Sequence, residues 1–267
     1  MTPVHQQLTV VSVVGHCDGA IAVPAIHHSI RQLPGSRGLL LSPSRPIDLP
    51  IGVHWKPIAP LTYQQYSIFM MHCLHYFIET EFCLVVQDDG WVLDGGNFRE
   101  SYYAFDYIGA PCHAAFVGQE YLTGFRWVGH GSATVIQNGG FSLRSRRFLE
   151  APSRHGIMYL PNVQPPLINE DIQLTGLLRA ALESKGIRFA PLGVAREFAI
   201  EYLTPTFHDD LDFSRLVGHH GRSRRLVAER TVELQLKPDD VTAIFREAEF
   251  VRYLETSGYS IQYRGQP

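Results

Sequence analysis

Apolar runs of roughly four to eight residues alternate with stretches whose apolar positions recur every three or four, and that alternation predicts an α/β sheet with helices packed on it. Leu8 to Gly15, Gly38 to Leu41 and Phe82 to Gln87 read as strands. Between the last two lies a helix. Thr62 and Gln65 have capping-box spacing after Pro60, and Tyr66, Phe69, Met70, Cys73 and Phe77 fall on one face. Asp106 to Pro111 reads as a short buried strand ending at its proline, and residues 112 to 133 show no clear period, which marks them as a candidate lid. Thr134 to Arg144 is a strand interrupted by Gly139 and Gly140. Such a pair marks either a β-bulge or the close approach of a ligand or another backbone.

A further helix starts at Asn169, an N-cap residue followed by Glu170 and Asp171 in the first turn. Leu174, Leu177, Leu178, Ala181 and Leu182 form its apolar face, and Gly186 ends it. Ile187 to Ala190 and Phe198 to Tyr202 read as strands. After Gly218-His219-His220-Gly221 and an arginine-rich turn comes a last helix, with Pro238 at its start and Val241, Ile244, Phe245 and Ala248 on one side. The chain thus divides into a main α/β domain over residues 1–221 and a helical extension over 222–267, packed on that domain or on a second subunit as a homodimer. No internal repeat or low-complexity segment appears.

Composition narrows the class without changing this picture. With 267 residues the chain is near the upper size for one core, and 45% apolar with 18% charged residues is the balance of a folded globular protein. A net charge of -3 gives no overall reason to expect nucleic acid, although Arg144, Arg146 and Arg147 and Arg222, Arg224 and Arg225 form local basic clusters. Cys17, Cys73, Cys83 and Cys112 form no Cys-x-x-Cys pair, which suits a reducing, cytoplasmic compartment. Leu8 to Val14 lacks the basic start and cleavage site of a signal peptide. No run approaches the roughly 20 apolar residues of a membrane span, so any contact with membrane material is peripheral, at the inner face.

The chemistry gathers at strand and helix ends. Gln87-Asp88-Asp89-Gly90 follows an apolar strand directly, and carboxylates there suit a divalent cation whose remaining shell comes from water and substrate phosphates. An Asp-Asp-Gly turn is equally ordinary loop chemistry. Acidic residues in a first helical turn, such as Glu170 and Asp171, favour the helix dipole with no catalytic purpose. The His219-His220 pair could by itself be structural.

Taken in order, Gln87-Asp88-Asp89, Asn138-Gly139-Gly140-Phe141-Ser142-Leu143-Arg144, Asn169-Glu170-Asp171 and Gly218-His219-His220 resemble the GT-A class of nucleotide-sugar glycosyltransferases. More closely, the chain is similar to bacterial glycosyltransferase-like families with a Gln-x-Asp-Gly turn, a Tyr-Ile-Gly-Ala-Pro strand and a Gly-Gly-Phe-Ser-Leu-Arg segment. The likeness covers about residues 8 to 221. It implies a Rossmann-like mixed sheet, a nucleotide-sugar donor, and a glycan or other glycoconjugate as acceptor. The acidic turn stands where the family has Asp-x-Asp, with Gln87 in place of the first Asp, so the resemblance makes Asp89 a ligand of Mn²⁺ or Mg²⁺ and His220 a second ligand. It leaves Gln87, Asp88, Asn138, Gly139, Gly140, Arg144 and Glu170 to substrate binding. Arg222, Arg224 or Arg225 would follow the departing diphosphate.

By motif position Asp171 is the base that takes the acceptor's proton, as in inverting members. The resulting expectation is an inverting, metal-assisted transferase. Two alternatives stand beside it: a non-catalytic nucleotide-sugar or carbohydrate-binding protein of the same fold, and a metal-dependent phosphoesterase or nucleotidyltransferase. The second calls for more clustered Asp and His residues than the sequence offers.

Overall fold

The six residues Leu8–Val13 are all buried, the signature of a strand covered on both faces. In the computed structural model, which describes residues 5–16, 18–117, 120–123, 133–163 and 167–264, that strand is β1. It lies inside a seven-stranded sheet ordered β3-β2-β1-β4-β7-β5-β6. The other strands are β2 (Arg37–Ser42), β3 (Val53–Pro57), β4 (Phe82–Val85), β5 (Tyr107–Val117), β6 (Glu120–Thr123) and β7 (Ala133–Ser145). The strands β1 to β4 are parallel, and β7 runs antiparallel to both β4 and β5. The chain is therefore an α/β protein with a mixed, helix-flanked sheet.

Side-chain alternation splits the core into two layers. Leu8, Val10 and Leu84 join Ile26 of α1 (Val23–Gln32) on one face. Val11, Val13, Cys83 and Val85 meet Met70 and Met71 of α2 (Tyr63–His72) and Phe148 and Leu149 of α3 (Arg146–His155) on the other. The capping box at α2 is present in full: Thr62 Oγ1 accepts from Gln65 N, and Gln65 Oε1 accepts from Thr62 N. Strand order reverses between β1 and β4. Crevices at such a reversal, beyond the carboxyl ends of the strands, are where open α/β sheets bind ligands, and Gln87-Asp88-Asp89 comes just after β4.

Several elements differ from their sequence expectations. Pro111 does not end its strand: β5 continues to Val117 and pairs with β6, so residues 112–117 and 120–123 of the candidate lid are a hairpin, while 118–119 and 124–132 lie outside the described residues. The helix after Asn169 is not uniform. It begins as α4 (Glu170–Ile172), widens into a π-turn at Gln173–Leu177 and resumes as α5 (Arg179–Glu183). The wider turn rotates the residues after it, which leaves Ala181 exposed while Leu174 and Leu182 stay buried. Asn169 does not cap this helix with its side chain; its Oδ1 accepts from the Tyr63 hydroxyl.

Ile187 to Ala190 contributes one isolated bridge, Tyr107 to Phe189, before α6 (Leu192–Phe198). The strand expected over Phe198 to Tyr202 shrinks to β8 (Ala199–Ile200), followed by α7 (Pro205–His208) and by β9 (Gly218–His219) alongside β8. The C-terminal extension is richer than a helix. It holds a small sheet of β10 (Arg224–Ala228), β11 (Thr231–Leu234) and β12 (Ser260–Tyr263). The single helix expected there is two, α8 (Pro238–Ala243) and α9 (Glu247–Thr256), because Ile244 turns extended and Arg246 takes a positive φ. Leu226, Val232, Phe250 and Leu254 share a core with Trp91, Leu93 and Ile200, so the extension packs on its own main domain. No helix among the described residues is long and apolar enough to cross a membrane.

Candidate functional site

Gln87 and Gly90 exchange both backbone hydrogen bonds, at 2.9 and 3.0 Å, and so leave Asp88 and Asp89 at the tip of a two-residue turn. The turn is clipped from outside. Asp89 O accepts from Gly221 N and Asp88 O from Leu226 N, both at 2.8 Å. The same ladder sets His220: His219 N donates to Trp91 O, and His220 N to Ile200 O. Trp91 and Leu93, just past the turn, anchor it in the core of the C-terminal extension.

Opposite this turn, β7 carries a large bulge. Gly109 pairs with Ser142 and Pro111 with Gln137, so Asn138, Gly139, Gly140 and Phe141 all stand against the single residue Ala110. The bulge reading of the glycine pair holds, and what packs closely on the two glycines is neighbouring side chains. A Cβ at Gly140 would overlap the His220 ring, and one at Gly139 would come within 2.8 Å of Arg144 Nη2 and Glu170 Oε1. Gly140 N donates to Asn138 Oδ1, which fixes the bulge internally.

These segments border one cleft of about 400 Å³. Of the residues singled out from the sequence, Gln87, Asp89, Asn138, Gly139, Gly140, Glu170, Asp171 and His220 line it, and so does Arg222. Asp88 and Arg144 do not. Asp88 turns outward, its Oδ2 lying 3.4 Å from Arg225 Nε, and burial with the adjacent Asp89 charge raises its pKa. Arg144, assigned to substrate by motif position, is 0% exposed and lies behind the bulge. It donates from Nη2 to Glu170 Oε1 at 2.9 Å and to Gly139 O at 3.1 Å, and from Nε to Ser142 Oγ. Its role is to hold the glycine backbone and Glu170 in place.

The two ends of the cleft have opposite electrostatics. Asp171 accepts from Gly139 N (2.9 Å) and Ile172 N (2.8 Å), yet its pKa is raised to about 7, first by burial and then by the charges of Glu170 and Glu201. At Asp89 burial acts in the same direction, but the neighbouring His220 outweighs it and holds the carboxyl below its ordinary range. Burial opposes a charge on His220, and Asp89 and Glu201 overcome it and raise the imidazole to about 10.

His220 Nε2 lies 3.2 Å from Gln87 Oε1 and 3.3 Å from Asp89 Oδ1, and its Nδ1 is 3.7 Å from Glu201 Oε1. Asp89 Oδ1 and His220 Nδ1 are nonetheless buried atoms without a well-directed hydrogen bond. The Asp89 carboxylate and the Gln87 amide oxygen are oxygen donors that fit a divalent cation, and the His220 imidazole, charged at neutral pH, joins them as a Mn²⁺ ligand only on losing its proton. The protein side of such a site is sparse: among the described residues no group of three or more His, Cys, Asp or Glu is arranged to hold a metal.

Glu201, Tyr63, Tyr66 and Tyr202 line the cleft without having been singled out. Glu201 comes at the end of β8 much as Gln87 comes at the end of β4, so a carboxylate just beyond an apolar strand was the signal available for it. Tyr66 holds Gln87, whose Nε2 donates to the phenol oxygen at 3.0 Å. Tyr63 and Tyr66 gave no such signal, since their helix reads as core.

The fold and this polar crevice define an α/β protein with a candidate site at the strand ends, built from segments far apart in the chain. A family model matches residues 59–220, and the chain belongs to that family, DUF5672, described as proteins of unknown function. The matched span encloses every candidate residue named above from Gln87 to His220. No curated protein matches the chain.

Proposed function

We propose that the protein is a glycosyltransferase that moves a sugar from a nucleotide-diphosphate sugar to a hydroxyl of a glycan or other glycoconjugate, with inversion. The observation that supports this reading is the convergence on one cleft of the acidic turn, the glycine bulge, Asp171 at a helix start and His220. The acceptor oxygen bonds to the anomeric carbon as the bond from that carbon to the diphosphate oxygen breaks. The electron pair leaves with the nucleoside diphosphate, and the acceptor proton passes to Asp171. A carboxyl with a pKa near 7 is matched to that task at neutral pH. Both Asp171 oxygens are oriented by backbone N–H groups and keep lone pairs for the hydroxyl.

Asp89, the Gln87 amide oxygen and, once its imidazole has given up its proton, His220 would hold the divalent cation, which would supply Lewis-acid stabilisation of charge on the diphosphate. Gly139 and Gly140 let His220, Glu170 and Arg144 pack against the bare backbone, which sets the cleft wall that would face the sugar. Arg222, in the cleft lining, would accompany the leaving phosphate. The test is product analysis with a panel of nucleotide-sugars and Mn²⁺. A glycosylated product with release of nucleoside diphosphate supports transfer, whereas free phosphate or pyrophosphate points to phosphoester chemistry. Binding of nucleotide-sugar with no product at all would leave a non-catalytic binding protein.

A further inference from the structure

Beside the cleft lies a second cavity, of about 690 Å³, between the segment after β8 and the C-terminal extension. Leu203, Pro205, Leu236, Ala243, Ile244 and Phe245 give it mainly apolar walls. The charged pair in its lining is already neutralised: Arg224 donates to Glu247 Oε1 at 2.6 Å, and the two side chains are 1% and 5% exposed. The cavity adjoins the candidate site, with Glu201, Tyr202 and Arg222 as a shared wall. Tyr202 and Ile244, large side chains at 44% and 40% exposure, are part of its wall. A polar cleft set against an apolar chamber, with one wall in common, suits a molecule that is polar at one end and apolar at the other. Its volume suits a small-molecule body of ordinary ligand size.

We infer that this cavity holds the apolar part of an amphiphilic acceptor, a hydroxyl-bearing polar head carried on an aliphatic or aromatic body, with the head reaching the cleft beside Glu201 and Asp171. The assignment rests on the transferase reading for the word acceptor, and on the cavity alone for the amphiphile. It narrows the glycan or glycoconjugate expected from the sequence to one with an apolar aglycone next to the accepting sugar. In the reaction the head's hydroxyl oxygen gains the bond to the anomeric carbon, its proton goes to Asp171, and the apolar body takes no covalent part.

The test uses the full chain with n-octyl β-D-glucoside, below its micelle concentration, and methyl β-D-glucoside, which has the same head without the tail. Calorimetry should show the octyl compound binding at least about 10-fold more tightly, since each buried methylene adds appreciably to affinity. Ile244→Ser and Ala243→Trp, both at exposed positions, should cut that preference to about 3-fold or less by removing apolar wall and by filling the chamber. Nucleoside diphosphate binding, read in parallel, should stay unchanged. Equal affinity for the two glucosides, or a preference that survives both substitutions, overturns the assignment. A retained tail preference with no transfer from any donor sinks the transferase reading and leaves the cavity an amphiphile site. Transfer to both glucosides with one KM does the reverse.

Discussion

Asp89 and Asp171 border the same cleft, and their surroundings drive them apart. Asp89 faces His220 and is kept ionised; Asp171 faces Glu170 and Glu201 and is held near neutrality. The same side chain is thus prepared for two tasks, a permanent negative charge on one wall and an exchangeable proton on the other. Burial pushes both carboxyls upward, so burial alone does not set the difference. The sign of the nearest charge does.

The sharpest way to break this comparison is Asp171→Asn. It keeps the shape and loses the base, so transfer should fall about 10² to 10⁴-fold while nucleoside diphosphate binding persists. Wild-type turnover in that variant would remove Asp171 from the chemistry. The pH profile bears on the same contrast. Transfer should rise with pH through about 7 as Asp171 ionises. Stability moves the other way: a folded-state pKa above the unfolded one means the native state binds more protons, so Asp171's contribution is present at low pH and declines from about pH 4 to about pH 7. Denaturant unfolding of wild type and Asp171→Asn at several pH values checks that slope.

Arg144→Met tests what stands behind the Asp171 wall. It strands Glu170 and leaves the Gly139 carbonyl with the Ser142 hydroxyl alone, and loss of one partner of a buried pair costs about 3 to 5 kcal/mol, measurable by chemical denaturation. Gly140→Ala addresses the other wall. Its methyl group would displace His220, and an error of about 1 Å in a positioned group costs roughly 10²-fold in rate, so activity should drop with the fold retained by circular dichroism. The smallest effect belongs to Arg225→Ala. Its side chain is half exposed and meets Asp88 outside the cleft, so stability should change by less than about 1 kcal/mol.

The sequence carried the centre of the main sheet, though not β3 or β6, and most of the cleft, for identifiable reasons. β1 and β4 are short apolar runs, α2 has a capping box, and the acidic turn, the glycine pair and Glu170-Asp171 are each compact in sequence. Features that depend on partners far along the chain stayed hidden. The π-turn at Gln173–Leu177 preserves an apparently regular apolar face, and only the packed structure shows Ala181 turned out. Strands β10 to β12 are amphipathic or edge-like, and β11 acquires its pairing with β12 from a distant segment. α1, with Pro24 near its start and histidines along it, has no side-chain cap, whereas a capping box marks the start of α2. Arg144 sits in a motif that points to substrate, and no local pattern announces that its charge is spent on Glu170.

The backbone clip on the acidic turn reaches beyond the family match. That match stops at residue 220, whereas Asp89 O is held by Gly221 N and Asp88 O by Leu226 N. A chain ended at residue 220, with β1 to β3 kept, would retain every cleft side chain except Arg222 and lose the struts of its own turn. Truncation at that C-terminal boundary should therefore leave nearly all the right residues around a slack site, whose defect would be mistaken for a missing cofactor.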